Sequence, residues 1–221
     1  MTNARTPHTL LHAAYSDALR EHAVKLICMG HQRLDVSVLS RSEEDDITGE
    51  LVRAIKHRVC CDPSAPDWVD HYEVHEQVRQ NDGGRRGKRR PMMDVEIECH
   101  FRGPRPRLGF EAKRLGHGYT AAKYLGVEGM TAFLNNYYQT THGDAGMIGY
   151  VQQGTAASWA EQILEEIRSD RETYYLSSDS VADISDGIKR RGFRTDHRDS
   201  QECPLAVLHL FLQFCNPDVE A

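Results

Sequence analysis

The sequence predicts an α/β fold, a mixed central sheet flanked by helices. Three observations point there. Short segments alternate apolar and polar residues with the period of two that marks strands, and three of them follow one another. Segments with a helical apolar period stand before that run, after it, and ahead of a last strand. The chain has 221 residues, 39% of them hydrophobic, which suits a single domain with a real core.

Residues 8–29 place Leu10, Leu11, Ala14, Ala18, Val24 and Ile27 at helical spacing, and Gly30 is expected to stop that helix. Leu34, Val36 and Val38 alternate, which predicts a short strand or extended connector over 34–39. Ser42 has the chemistry of an N-cap, with Asp45 three residues on. Ile47, Leu51 and Ile55 set the buried face of a helix running to about Arg58. The acids at its start, Glu43 to Asp46, suit the helix dipole, and Glu44 falls on the inward stripe. Pro63 and Pro66 break the chain, and Tyr72 to Val78 alternates as a strand. Asn81 to Gly84 reads as a turn leading into Arg85, Arg86, Lys88, Arg89 and Arg90. After the next two strands, residues 116–126 read as a loop with tyrosines and 129–138 as a short helix. Met147 to Val151 is a predicted strand, Ala156 to Arg168 an amphipathic helix, 177–202 a polar irregular stretch, and 205–214 a terminal strand.

The net charge is −6, 27% of residues are charged, and the mean hydropathy is −0.60. No apolar run reaches membrane-span length, and the first residues lack the apolar core of a signal peptide, so a cytoplasmic protein is expected. The acidic total argues against a general nucleic-acid coat, although a local basic stripe matters more than the sum. The six cysteines show no metal-ligand spacing; with 12 histidines a zinc site is an alternative, but idle thiols in a reducing compartment are the plainer expectation.

The most informative residues lie on the second and third strands. In the segment from Met92 to Glu98, Met93, Val95 and Ile97 point one way and Asp94, Glu96 and Glu98 the other. In the segment from Leu108 to Leu115, Leu108, Phe110 and Ala112 oppose Glu111 and Lys113. Joined as a hairpin, the two strands would bring Asp94, Glu111 and Lys113 to one face. Two carboxylates and a lysine are what metal-assisted phosphodiester hydrolysis needs, because hard divalent cations prefer oxygen ligands.

This order of elements, with Asp94 and then Glu111-Ala112-Lys113 on consecutive strands, resembles the PD-(D/E)xK nuclease superfamily over roughly residues 42–155. Its motif is looser here, since Pro91 precedes Asp94 by three positions. The resemblance implies a restriction-endonuclease-like core of α-β-β-β-α-β order within one nuclease-like domain, with a helical extension over 1–41 and a helix and strand over 156–221. It implies an Mg²⁺-dependent endonuclease, with Mn²⁺ able to substitute, acting on DNA in restriction or phage defence. Asp94, Glu111 and Lys113 would be catalytic. Asp94, Glu111, the Ala112 carbonyl and Glu44 would be metal ligands, with Glu96 as an additional acid. Arg85, Arg86, Lys88, Arg89 and Arg90 are the expected phosphate contacts, with Arg102, Arg105 and Arg107 beside them and a second basic group at Lys189, Arg190, Arg191, Arg194, His197 and Arg198. Tyr119, Tyr124, Tyr137 and Tyr138 are candidates for base stacking or for plain packing. No phosphate-binding loop is present, so any motor, such as a helicase or ATPase, would be a partner, and a homodimer is the other route to target choice. A catalytically silent nucleic-acid-binding or scaffold subunit, and an RNA-directed nuclease, are the competing readings.

Overall fold

Six strands form one sheet: β1 (Tyr72–Arg79), β2 (Met92–Cys99), β3 (Arg107–Leu115), β4 (Asp144–Val151), β5 (Gly192–Arg198) and β6 (Pro204–Gln213). The computed structural model describes residues 7–81, 84–100, 106–140, 143–178, 181, 182, 184 and 191–215. The sheet order is β1-β2-β3-β4-β6-β5. The first two neighbour pairs are antiparallel, β3-β4 and β4-β6 are parallel, and β5 closes the far edge antiparallel to β6. The helices are α1 (Pro7–His31), α2 (Val36–Leu39), α3 (Glu44–Ala54), α4 (Ala121–Leu125), α5 (Met130–Leu134) and α6 (Ala156–Ser169). The architecture is therefore α/β with a mixed sheet flanked by helices.

Each face of the sheet has its own core. On one face, Leu19, Val24 and Ile27 of α1 and Ile47 and Leu51 of α3 pack on Val95, Ile97, Phe110, Ile148, Tyr150, Leu208 and Leu210. On the other, Tyr124 of α4, Met130 and Phe133 of α5 and Ile163 and Ile167 of α6 pack on Leu115, Met147, Val151, Val207 and Phe211. The helix over the first residues is thus part of the main core. β4 is buried along its whole length because it lies between two parallel neighbours with helices on both faces.

Several elements differ from the sequence expectation. Residues 36–39 turn as α2, because the Asp35 carboxylate caps them by accepting from the Ser37 amide at 3.2 Å. α3 begins at Glu44 with Glu43 in the capping position, not Ser42, and a single wide turn over Ile55–Val59 carries it on. Gly30 lies inside the last turn of α1 and serves close approach: a Cβ there would stand 2.5 Å from Ile55 Cγ1. The 116–126 segment contains α4, and the helix expected over 129–138 is the shorter α5.

The stretch read as irregular contains β5. Its inward residues are Phe193, Thr195 and His197, so its buried face looks polar in sequence. Those polar groups satisfy one another. The His197 Nδ1–H donates to the Tyr174 carbonyl (2.7 Å), so Nε2 accepts from the Thr195 hydroxyl (2.6 Å). Thr195 then accepts from His209 Nε2 (2.9 Å), and His209 Nδ1 accepts from the Tyr124 hydroxyl (3.1 Å). One carbonyl fixes the direction of the whole buried chain, and burial holds both imidazoles below their ordinary pKa.

β4 must be narrow beside β3. A Cβ on Gly146 would lie 2.0 Å from Phe110 Cδ1, and one on Gly149 would lie 2.6 Å from a Leu115 methyl. Gly146→Ala is expected to destabilise the fold by about 1–3 kcal/mol through overpacking, read as a lower urea midpoint at unchanged slope. Wild-type stability in that variant would show that Phe110 can move without consequence.

Candidate active site

The site arises where β2 and β3 part. Their ladder runs from Glu98 opposite Arg107 to Val95 opposite Phe110 and stops there. The next residue of β2 is Asp94. Across β2, the β1 ladder omits Gln77, which faces Asp94 in register and adopts a positive φ of 51°. A left-handed backbone at a non-glycine residue costs energy and is held by its surroundings, so strain accumulates beside this carboxylate.

Alternate amides of a strand point to the same edge, so the N–H groups of Ala112 and Arg114 both face the side that β2 has left. Carboxylates take the place of its backbone. Asp94 Oδ2 accepts from the Ala112 amide at 2.8 Å, and Glu44 Oε2 accepts from the Arg114 amide at 3.2 Å. Glu44 reaches in from the first turn of α3, whose start is anchored to the same strands. Arg114 donates to the Ser42 carbonyl (3.3 Å) and pairs with Glu43 (2.6 Å), while Gln152 Nε2 donates to the Ser42 carbonyl (2.9 Å). Thr48 donates to the Glu44 carbonyl and accepts from the Tyr150 hydroxyl, both at 2.9 Å.

Lys113 gathers the remaining groups. Its Nζ donates to Glu111 Oε1 (2.8 Å), Glu44 Oε1 (2.9 Å) and the Ala112 carbonyl (2.7 Å). Burial works against its charge, but Glu111 and Glu44 outweigh that and hold its pKa above the ordinary lysine value. The acids are pushed the other way. Burial raises Asp94 to about 6 despite the Ala112 amide and the nearby Lys113. Burial and then the negative charge of Asp94 raise Glu111 to about 7, with Lys113 offsetting only part. The Tyr138 phenol stands beside this carboxyl, and among the described residues no donor meets the buried Glu111 Oε2 at full hydrogen-bonding geometry.

The alternation thus brings Asp94, Glu111, Lys113 and the Ala112 carbonyl together, with Glu44 as the fourth side chain. Glu96 is separate. It is buried, its nearest cation is Arg107 at 3.8 Å, and no hydrogen bond or ion pair of Lys113 runs to it among the described residues. The readings of Glu44 as a metal ligand and of Glu96 as a further acid therefore differ in kind: Glu44 grips the ammonium, and Glu96 sits with another strand position.

The residues suit a hard divalent cation. Glu111 Oε1 and the Ala112 carbonyl oxygen both face an ammonium, so the cluster is built around positive charge. Among the described residues no donor meets the buried Glu111 Oε2 at full hydrogen-bonding geometry, and burial, then the charge of Asp94, raises the pKa of Glu111. Among the described residues no group of three or more His, Cys, Asp or Glu is arranged to hold a metal ion, and two carboxylates with one carbonyl would leave most of the shell of an Mg²⁺ ion to water.

The expected phosphate contacts lie on one rim. Arg85, Arg86, Lys88 and Arg89 are exposed, and Arg90 is half-buried and donates to Asn81. Arg79, at the end of β1, donates to the Lys88 carbonyl at 3.2 Å and so holds the segment down. The second basic group is dispersed: Arg194 pairs with Asp196 (2.7 Å), Arg198 lies 4.0 Å from Glu202, and His197 is buried. Arg102, Arg105, Lys189 and Arg190 lie outside the described residues. Of the four tyrosines, Tyr124 and Tyr138 are buried, Tyr119 lies between Arg114 and Lys123, and Tyr137 is exposed. Sequence reasoning missed Arg114 and Gln152, whose side chains place α3; nothing in their spacing signals that role.

The acids make a testable demand. Asp94 titrates at about 6 when folded and near 4 when unfolded, so its ionisation penalises the folded state above pH 6 and not below pH 4. Asp94→Asn is expected to stabilise the protein at pH 8, without divalent cations, by an amount on the order of 1–3 kcal/mol that shrinks toward pH 4. Denaturant midpoints at the two pH values measure it, and a gain that did not depend on pH would contradict the assigned burial cost.

Comparison with protein-family models, with curated proteins and with solved structures gives no match.

Proposed function

We propose that the chain is a divalent-cation-dependent nuclease of the PD-(D/E)xK type that hydrolyses phosphodiester bonds of DNA, in restriction or phage defence. The observation that carries this reading is the Lys113 ammonium held between Glu111, Glu44 and the Ala112 carbonyl, on a strand whose preceding amide, that of Ala112, is taken by Asp94. A packed core gains nothing from gathering these charges in a partly buried place, and a solvated hairpin face would leave them in water.

Each residue then has a distinct task. Asp94 and Glu111, once deprotonated, offer oxygens to Mg²⁺, and the Ala112 carbonyl is a third donor on the same strand. A bound hard cation would polarise the phosphate and lower the pKa of a coordinated water. The Lys113 ammonium has three donors; it orients the attacking water and faces the charge that develops on the phosphate. Glu44 restrains it, holding the ammonium at a fixed place and fully charged. The exposed cations from Arg85 to Arg89 would carry the phosphates on either side. The resemblance, not these residues, suggests the defence setting; a cytoplasmic location, and a homodimer or an ATP-driven partner for choosing targets, belong to the proposal as the sequence suggests them. Among the described residues no helix is long and apolar enough to cross a membrane.

The deciding experiment is cleavage of plasmid, linear DNA and RNA with Mg²⁺, Mn²⁺ or EDTA, comparing wild type with Lys113→Ala. Cation-dependent cutting should fall by roughly 100-fold or more in the variant. No cutting by well-folded wild type on any substrate would remove the enzyme reading. Without a cation Asp94 and Glu111 hold their protons to about pH 6 and 7, so a divalent ion must compete with protons there, and at limiting Mg²⁺ the rate should climb across that interval; a cation requirement that did not change from pH 5 to 8 would exclude those carboxylates. Neutralising Arg85, Arg86, Lys88 and Arg89 together should lower the slope of log affinity against log salt by about 0.9 for each phosphate that the segment neutralises in the wild type. An unchanged slope would take that segment off the substrate path.

A further inference from the structure

We infer that Tyr137 is a stacking platform for one unpaired nucleobase, so that the strand entering the site is single-stranded beside the scissile phosphate. This rests on the nuclease reading of the adjacent acids and adds to it the form of the substrate.

Tyr137 and Tyr138 are consecutive and do opposite things. Tyr138 is turned in, 6% exposed, with its phenol beside Glu111. Tyr137 is turned out, 42% exposed, one of the few large apolar side chains on the described surface. Their rings meet edge to face at 5.1 Å, so the exposed ring is one side chain removed from the carboxylate cluster. Asn136, with a positive φ of 54°, makes the turn that leads into them.

The platform is held in place. Gln80, which follows β1, donates through Nε2 to the Gln139 carbonyl (3.2 Å) and accepts from the Gln139 amide at Oε1 (2.9 Å). This two-way amide pair is buried at Gln80 and ties the segment carrying both tyrosines to the strand end from which the basic segment departs. The Asn136 amide donates to Ser200 Oγ (3.1 Å) on the other side. An aromatic side chain fixed before binding loses little further entropy when a base arrives.

The surroundings match a single strand. The Arg85 guanidinium lies over the Tyr137 ring, 4.5 Å from its centroid, and so marks a face that accepts a flat, electron-poor group. A base can exchange with it there, and the displaced guanidinium becomes a phosphate contact beside Arg86, Lys88 and Arg89. Asn136 and Gln139, which flank the two tyrosines in sequence, line a cleft of about 590 Å³ together with Thr140 and Gln201. Amides and a hydroxyl suit base edges, whereas a phosphate would want the cations across the ring. Asp199 also borders this cleft, but its Oδ1 already accepts from the Gln201 and Cys203 amides, both at 2.8 Å. Stacking a base on an exposed side chain requires that the base be unpaired, which a continuous duplex does not provide.

The test is binding, which is independent of turnover. Fluorescence anisotropy in EDTA would compare wild type, Tyr137→Phe, Tyr137→Leu and Tyr137→Ala on a labelled single-stranded DNA, the same sequence as RNA, and a blunt DNA duplex, with thermal unfolding recorded for each variant. Tyr137→Ala and Tyr137→Leu should weaken single-strand binding roughly 10- to 100-fold, Tyr137→Phe should remain within about twofold of wild type, and duplex affinity should change little. Weakening confined to DNA or to RNA identifies the polymer that occupies the platform. Equal binding by Phe, Leu and Ala variants, or equal weakening on duplex and single strand, would overturn the inference. Cleavage by the wild type is measured separately: stacking without cation-dependent cutting would refute the nuclease reading and leave the platform standing, and cutting without a Phe-to-Ala difference would do the reverse.

Discussion

The parting of β2 from β3 after the Val95–Phe110 pair is the constraint on which the rest of the site depends. An inner strand that loses its neighbour exposes backbone N–H groups in a place that water reaches poorly, and such groups must find acceptors. Asp94 and Glu44 supply them at Ala112 and Arg114. The choice of carboxylates has consequences. A neutral acceptor would have satisfied the amides at lower desolvation cost, while these two acids with Glu111 concentrate negative charge that a cation, or a proton held to higher pH, must offset. Lys113 is that cation in the protein alone. In the proposed chemistry a divalent ion would answer the same concentration of negative charge.

A site that depends on a helix residue needs the helix start to be placed accurately. α3 meets this through contacts that have nothing to do with its apolar stripe. Arg114 and Gln152 converge on the Ser42 carbonyl from β3 and from the end of β4, its parallel neighbour, and Tyr150 of β4 holds Thr48. Lys113 and Arg114, neighbours on one strand, thus grip Glu44 and Glu43, neighbours at the helix start. The strand's alternation sends the two cations to opposite faces, and the helix start crosses the strand edge so that each finds its acid. Movement of α3 would release both pairs at once, which ties the geometry of the ammonium to the integrity of the main core.

The face that carries the acids and the lysine is legible in sequence because strand alternation is a strict period: once Val95, Ile97, Phe110 and Ala112 are placed in the core, Asp94, Glu111 and Lys113 have one direction left. Glu44 is legible for the same reason on a helix. Glu96 shows the limit of that logic. It shares the parity of Asp94, yet the ladder is intact at Glu96 and open at Asp94, and sequence carries no sign of where a ladder ends. β5 is hidden by a different effect. Hydropathy patterns assume that buried positions are apolar, and Thr195 and His197 are buried because a directional chain of hydrogen bonds satisfies them. Residues 36–39 look like a strand because Val36 and Val38 favour one by composition, while the Asp35 side chain decides the local backbone. Cys60 and Cys61, conspicuous as a pair, prove to be unlinked thiols like the other four.

A chain of net charge −6 can engage a polyanion only if its cations are segregated from its acids and fixed in relation to them. The sequence contains two basic groups, and the structure treats them differently. In the later one, among the described residues, Arg194 and Arg198 answer neighbouring acids and His197 is buried, its pKa held down. The earlier one stays on the surface, and its ends are secured by Arg79 and by the contact of Arg90 with Asn81. Those anchors lie at the end of β1, whose neighbour β2 carries Asp94. The distance between the basic rim and the acids is therefore set by one antiparallel strand pair. An even spread of positive charge would attract nucleic acid more strongly at long range but would leave the position of a phosphate undefined. A short cationic segment anchored at a strand end gives up total attraction for register, and in the proposed function register would decide whether a phosphodiester meets the Lys113 ammonium or slides past it.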